Sequence, residues 1–235
     1  MINEELSLKL QEGVPIKVDD LVIPSLKLSD INEIGYDTYQ KYISYALYEF
    51  DESTFEAEGM ESLRLLMPYQ FFSLSNQSEA FLNTVKAFEF FFKSKAEMND
   101  NLEIIFISGM NEGKVLSRDK YNEIKNMLKI IYGLADDKEE EYIPADDKAK
   151  EIMAKIKTAK KKIEKKKDTG IRFSSIVSAV STKSNSINRF NIFNLTIFQL
   201  YDEFKRLTAI DNFNMNFSAM MQGAKIDELE HWSSS

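Results

Sequence analysis

The chain predicts a mainly α-helical fold with two small β-hairpins, and three observations point there. Apolar residues recur at helical spacing through most of the length, and the short β-rich runs sit beside Pro, Gly or Asp turns. A composition of 43% apolar and 29% charged residues is that of a globular chain. At 235 residues it is long enough to bury a sizeable core as one domain or two. We read an N-terminal helical lobe over 1–135, a charged connector over 136–172 and a C-terminal helical lobe over 173–235.

Between Pro15 and Pro24, Ile16 and Val18 precede an Asp19-Asp20 turn and Leu21 to Ile23 follow it, the pattern of a short hairpin. Ser29 or Asp30 suits the cap of a helix reaching about Tyr48, with Gly35 near its start and Ile31, Ile34, Tyr39, Tyr42, Ile43, Ala46 and Leu47 on its apolar face. A helical stretch from Phe55 to Leu74 is kinked or divided by Pro68. Asn76 and Glu79 suit the start of the next helix. Its Phe81, Val85, Phe88 and Phe92 form a stripe with Phe90 and Phe91 beside it, an arc wide enough to need cover on two sides. Leu102 to Ile107 and Lys114 to Leu116 read as a second hairpin closed through Gly109 and Gly113. Ser117 then caps a helix carrying Tyr121, Ile124, Leu128 and Ile131, and Gly133 stands where a left-handed residue stops it.

Composition breaks sharply after that. Residues 136–147 hold seven acids against Lys138, whereas 148–172 hold eleven bases against three acids. The Lys-rich run has high helix propensity but almost no apolar face beyond Ile152, Ile156 and Ile163, so a solvated helix and a turn at Asp168 to Gly170 are expected. Further helices are expected near Phe173 to Val180, over Thr196 to Leu207 and over Asn212 to Met221. The second is the best marked: Thr196 and Gln199 are spaced for a capping box, Leu195 and Leu200 for a hydrophobic staple. Ile197, Leu200, Tyr201, Phe204 and Leu207 share its apolar face.

Several chemistries are excluded. With no cysteine there is no thiolate catalysis, disulfide or Cys-ligated metal. The one histidine, His231, lies beside a Ser-rich end, so no Ser-His or His-metal constellation forms inside the fold. Gly109-Met-Asn-Glu-Gly113-Lys114-Val115 has three residues between its glycines where a phosphate loop needs four, and Val115 where it needs Ser or Thr. A hairpin turn is the better reading. The acids Asp136, Asp137, Glu139, Glu140, Glu141, Asp146 and Asp147 sit in a segment too poor in apolar residues to desolvate them, which suits a linker rather than a two-metal site. No active site, metal or cofactor is expected.

A net charge of −8 and a pI near 5.0 argue against a surface that covers nucleic acid. The run Lys155 to Lys167 suits an acidic partner, but it has no aromatic residue on which bases could stack. No run approaches the roughly 18 apolar residues of a membrane span. The first residues carry acids where a secretory leader carries bases, so Asn-x-Ser/Thr triplets at Asn76, Asn194 and Asn216 are chance matches and a cytoplasmic protein is expected. For Phe213, Met215, Phe217, Met220 and Met221 two readings stay open: a packed C-terminal core, and a surface adaptable to varied apolar partners.

Four landmarks taken in order resemble a family of phage proteins from Gram-positive hosts, described as tail assembly chaperones or tail-morphogenesis proteins. They are Leu26 to Tyr39 (LKLSDINEIGYDTY), Leu116 to Ile124 (LSRDKYNEI), the lysine-rich helix, and Phe190 to Leu207 with its Leu-Thr-Ile-x-Gln-Leu-x-Asp-x-Phe pattern. The ending Gln222 to Trp232 is similar to tails in the same group. The resemblance implies a non-enzymatic helper in the host cytoplasm that binds the tape-measure protein, a very long helical chain, and keeps its apolar stripes from aggregating. For such a helper, the candidate partner contacts in this chain are Phe213, Phe217, Met220, Met221 and Trp232, with electrostatic contacts at Lys160, Lys161, Lys162, Lys165, Lys166 and Lys167. A permanent tail or baseplate subunit and a nucleic-acid-associated regulator are the rival expectations.

Overall fold

A computed structural model describes residues 3–49, 66–74, 78–134, 171–223, 229 and 231–233. Among them run α1 (Glu4–Glu12), β1 (Ile16–Val18), β2 (Leu21–Ile23), α2 (Leu28–Ile34), α3 (Tyr36–Ala46), α4 (Pro68–Leu74) and α5 (Ser78–Phe92). Then come β3 (Ala96–Met98), β4 (Ile104–Phe106), β5 (Val115–Leu116), α6 (Arg118–Ile131), α7 (Phe173–Lys183) and α8 (Ile197–Met221), with 3-10 turns at Gly109–Asn111 and Ile192–Asn194. The architecture is mainly α, with one antiparallel sheet of two strands and one of three.

The first hairpin pairs Ile16 with Ile23 and Val18 with Leu21, and all four side chains are buried. Alternation therefore puts its apolar face on the core. Asp19 makes the turn in the left-handed region, at φ 56°. The centre of the core is α5, whose Phe88, Phe91 and Phe92 are fully buried. Helices α3 and α4 both pack on it, so the wide aromatic arc is indeed covered from more than one side.

The second hairpin has a third strand that its sequence does not advertise. Ala96, Glu97 and Met98 are poor strand formers. They pair with β4 through Ala96–Phe106 and Met98–Ile104 because the Lys95 and Ala96 amides are already held, by Ser108 Oγ at 3.1 Å and Glu89 Oε1 at 3.1 Å. The glycine-bracketed run is a docking turn. Its buried Asn111 accepts the Val22 N–H at 2.8 Å and donates to the Val22 carbonyl at 2.8 Å, so one side-chain amide completes the open edge of β2 as a neighbouring strand does. Gly109 is required there: φ is 80°, and a Cβ would lie 2.7 Å from the Lys93 carbonyl oxygen.

Three sequence expectations need correction. The helix expected from Ser29 or Asp30 to Tyr48 is two helices, because Gly35 at φ 85° and ψ 142° ends α2 and starts α3, and α3 stops at Ala46. Its start is Lys27, whose backbone N–H donates to Asp30 Oδ2 at 2.8 Å, which puts Ser29 and Asp30 inside the first turn. The two C-terminal helices expected around Thr208 to Asp211 are one. The apolar register changes there, but none of those residues breaks a helix, and Thr208 Oγ1 donates to the Phe204 carbonyl at 2.8 Å in the helical manner. Pro68 opens α4, where its missing N–H has no intrahelical partner to lose. Residues 55–65, Asn76 and the Lys-rich run lie outside the described residues.

Other ends match the residues that signal them. Helix α6 follows Ser117, and past it the Gly133 N–H reaches Ile130 O at 3.2 Å while Leu134 N–H reaches Lys129 O at 2.8 Å, the paired bonds of a Schellman stop. Ile176 and Val180 of α7, with Ile192, Ile197 and Leu200, join the same buried cluster as Leu10, Ile31 and Tyr132.

Two variants separate satisfied from unsatisfied buried polarity. Asn111→Ala strips both bonds from Val22 and is expected to cost about 2–3 kcal/mol in urea denaturation. Tyr132 Oη is buried without a hydrogen-bond partner among the described residues, so Tyr132→Phe should be neutral or stabilise by up to about 1 kcal/mol. Burial, aided by neighbouring tyrosines, pushes the Tyr39 and Tyr132 phenols well above their ordinary range. The fold thus holds them neutral, and their contribution is intact below pH ~10 and lost as pH rises beyond it. In an alkaline titration, the last phenolate absorbance should appear together with loss of helical circular dichroism; full ionisation of an intact fold would contradict this.

Candidate functional site

Helix α8 spans 25 residues, about 37 Å. Its start is clamped. The Thr196 N–H donates to Gln199 Oε1 at 2.8 Å and the Gln199 N–H to Thr196 Oγ1 at 3.2 Å, the capping box its spacing calls for. Gln199 Nε2 also donates to the Gln11 carbonyl at 2.7 Å, across Gly13 at the end of α1. A Cβ on Gly13 would stand 2.9 Å from that nitrogen. On the other side, Leu28 N–H donates to Leu195 O at 2.8 Å and Lys27 bridges Thr196.

From this clamp Ile197 and Leu200 are buried, and Tyr201, Phe204 and Leu207 pack against the core. Helix α7 lies alongside, and Lys183 at its end forms an ion pair with Asp211. Beyond Asp211 the helix runs on from Asn212 to Met221, about 15 Å.

The apolar side chains change sides along this helix. At roughly 100° per residue, Phe213, Phe217, Met220 and Met221 centre about 150° around the axis from the stripe that faces the core. They do not continue the core stripe. Phe213 is half-buried, Phe217 is 45% and Met221 71% exposed, and Met215 and Met220 are exposed too, so this group is not a sealed C-terminal core. Phe213 and Phe217 stack at 6.2 Å between ring centroids. His231 meets Phe213 edge-on at 5.3 Å and Trp232 lies beside His231, so the tail returns to the Phe213 end of the stripe. From Asn212 to Gly223 no residue is charged, and Asn212, Asn214, Asn216 and Ser218 supply the polarity. Of the expected contact residues, Phe213, Phe217, Met220 and Met221 share one side of the distal helix, and Trp232 stands near Phe213 through His231. The six lysines from Lys160 to Lys167 lie outside the described residues.

Elsewhere, a shallow apolar crevice where α1, the hairpin and the start of α8 meet has room for about one water molecule. Among the described residues there is no group of three His, Cys, Asp or Glu that could hold a metal ion, and no helix long and apolar enough to cross a membrane. Sequence reasoning missed Phe190, which stands fully in solvent on the loop before α8. Its immediate neighbours Asn188, Arg189 and Asn191 are polar, but Ile187 and Phe193 stand three positions away and Ile192 two, so spacing alone gives no signal that this ring is left outside.

Residues 164–235 match the family model described as the second domain of YomV, a phage-associated family. That stretch contains α7, the loop carrying Phe190, and all of α8. No curated protein and no solved structure matches the chain.

If the stripe plays no part in the chain's own packing, Phe217→Ser with Met221→Ser should change unfolding free energy by no more than about 0.5 kcal/mol. Leu200→Ala on the core side should cost about 2–5 kcal/mol. Equilibrium urea unfolding followed by circular dichroism compares the two.

Proposed function

We propose that this chain is a non-enzymatic assembly factor in phage tail morphogenesis, binding a long helical partner of the tape-measure type in the host cytoplasm. One observation carries the reading: the distal part of α8 presents Phe213, Phe217, Met220 and Met221 on a side turned away from the core. An amphipathic partner helix laid against such a stripe is a recurrent mode of recognition, and unbranched thioethers beside aromatic rings accommodate varied apolar side chains. The match of residues 164–235 to a phage-associated domain family supports it, as does the ordered likeness of the four sequence landmarks.

The net charge of −8 keeps such a helper soluble, while the uncharged distal helix meets an apolar partner with no ion to desolvate. In this reading Trp232 flanks the stripe, and Lys160, Lys161, Lys162, Lys165, Lys166 and Lys167 contact acidic stretches of the partner. The chemistry is association alone, without metal or cofactor.

Co-expression with the longest helical protein of the same phage genome tests it. The native chain should hold that protein in the soluble fraction, and Phe217→Ser with Met221→Ser should weaken the complex by about tenfold or more. Mass spectrometry of purified particles should find the chain absent or in traces. Stoichiometric copies would make it a virion subunit, and a partner equally soluble without the chain would end the proposal.

A further inference from the structure

One end of the apolar stripe on the distal helix is already occupied by the chain's own tail. Phe213 and Phe217 stand one helical turn apart on the same side, yet Phe213 is half-buried while Phe217 is 45% exposed. The better covered ring is the one that meets the tail. His231 stands edge-on to Phe213 at 5.3 Å between centroids and an interplanar angle of 71°, and Trp232 lies 5.2 Å from His231. With Phe213 and Phe217 6.2 Å apart, a row of rings runs from the helix into the tail, and Leu229 just before it is half-buried as well. Edge-on contact is a favoured arrangement of aromatic rings.

The imidazole is satisfied from the tail side. Its Nδ1 lies 2.7 Å from Ser233 Oγ and accepts the Ser233 N–H at 3.3 Å, so this nitrogen asks nothing of the helix. The cover is nevertheless shallow, because His231, Trp232 and Ser233 all remain exposed. A surface contact between single rings is readily exchanged for another apolar contact, as one inside a packed core is not.

We propose that the His231-Trp232 segment is a built-in cap, which holds the Phe213 end of the stripe in the free chain and is displaced when an apolar side chain of the partner helix takes its place. The proposal rests on the function above for the identity of that partner and adds how its site is regulated. In the free chain the cap reduces the contiguous apolar surface through which copies would otherwise associate. A partner that needs the uncapped form binds more weakly by the fraction of molecules in which the cap is away, a factor of about two to ten for an aromatic contact of this kind.

The one histidine of the chain makes the cap visible, since its ring protons give a single set of nuclear magnetic resonance signals. In the free full-length chain these should be displaced from the positions of a solvated imidazole, and Phe213→Leu should return them there; signals unmoved by that substitution would overturn the cap. Occupancy is read with anilinonaphthalene sulfonate, a dye for exposed apolar surface. His231→Ser with Trp232→Ser removes an exposed indole, yet it should bind the dye about two- to tenfold more tightly. Unchanged or weaker dye binding would contradict the cap. The same double variant should bind the long helical tail protein more tightly than the native chain does, by a similar factor. Equal or weaker binding ends the cap and leaves the function proposed above standing, with Trp232 a partner contact where binding is weaker. A tail protein that binds neither form ends that function, and the cap then stands or falls on the resonances and the dye.

Discussion

The clamp at the start of α8 is the constraint on which the rest of the molecule depends. Thr196 and Gln199 close on each other, Gln199 reaches the Gln11 carbonyl, and Leu195 accepts from Leu28, so the helix cannot begin elsewhere or leave at another angle. Because the origin and direction are set, ten residues past Asp211 are carried beyond the ion pair with Lys183 that ends the α7 contact. The apolar end thus lies about 20–40 Å along the helix from the polar arrangement that sets its start.

That exposure has a cost in solubility, and the sequence offsets it locally. The segment from Asn212 to Gly223 interleaves its apolar residues with Asn and Ser, and the tail lays His231 against Phe213. Elsewhere polarity closes edges. Asn111 occupies the open side of β2, and Asp30 satisfies the Lys27 amide while pairing with Lys93. Single apolar side chains such as Leu8, Leu82 and Met110 are exposed elsewhere, while the distal helix, which groups several, and the Phe190 loop lie within the stretch that matches a phage-associated domain.

Much of the fold was legible because its signals are local. A two-residue Asp-Asp turn between alternating apolar residues, a Thr-x-x-Gln box, and a glycine after a periodic run each encode their own geometry within four or five positions. What was not legible depended on distant partners. Strand β3 exists because Glu89 and Ser108 hold its amides, and nothing in Ala96-Glu97-Met98 announces it. Gly35 was tolerable in a helix by propensity alone, and only the packing of α2 against the Ile192–Asn194 turn and of α3 against α5 makes the break there necessary. The register shift within α8 read as a gap between helices because periodicity assumes one apolar face, whereas this helix carries two in succession. Exposure was the hardest property to read. Phe190 and Phe217 have the same side chain as buried Phe88, and a single sequence does not say which rings are left outside.

Hydrogen–deuterium exchange across α8, with and without the long helical partner, tests the central claim most directly. The free chain should protect amides from Leu200 to Asp211 and exchange rapidly from Phe213 to Met221, with the partner slowing the second group alone. Equal protection along the whole helix in the free chain, unchanged on adding the partner, would contradict the account.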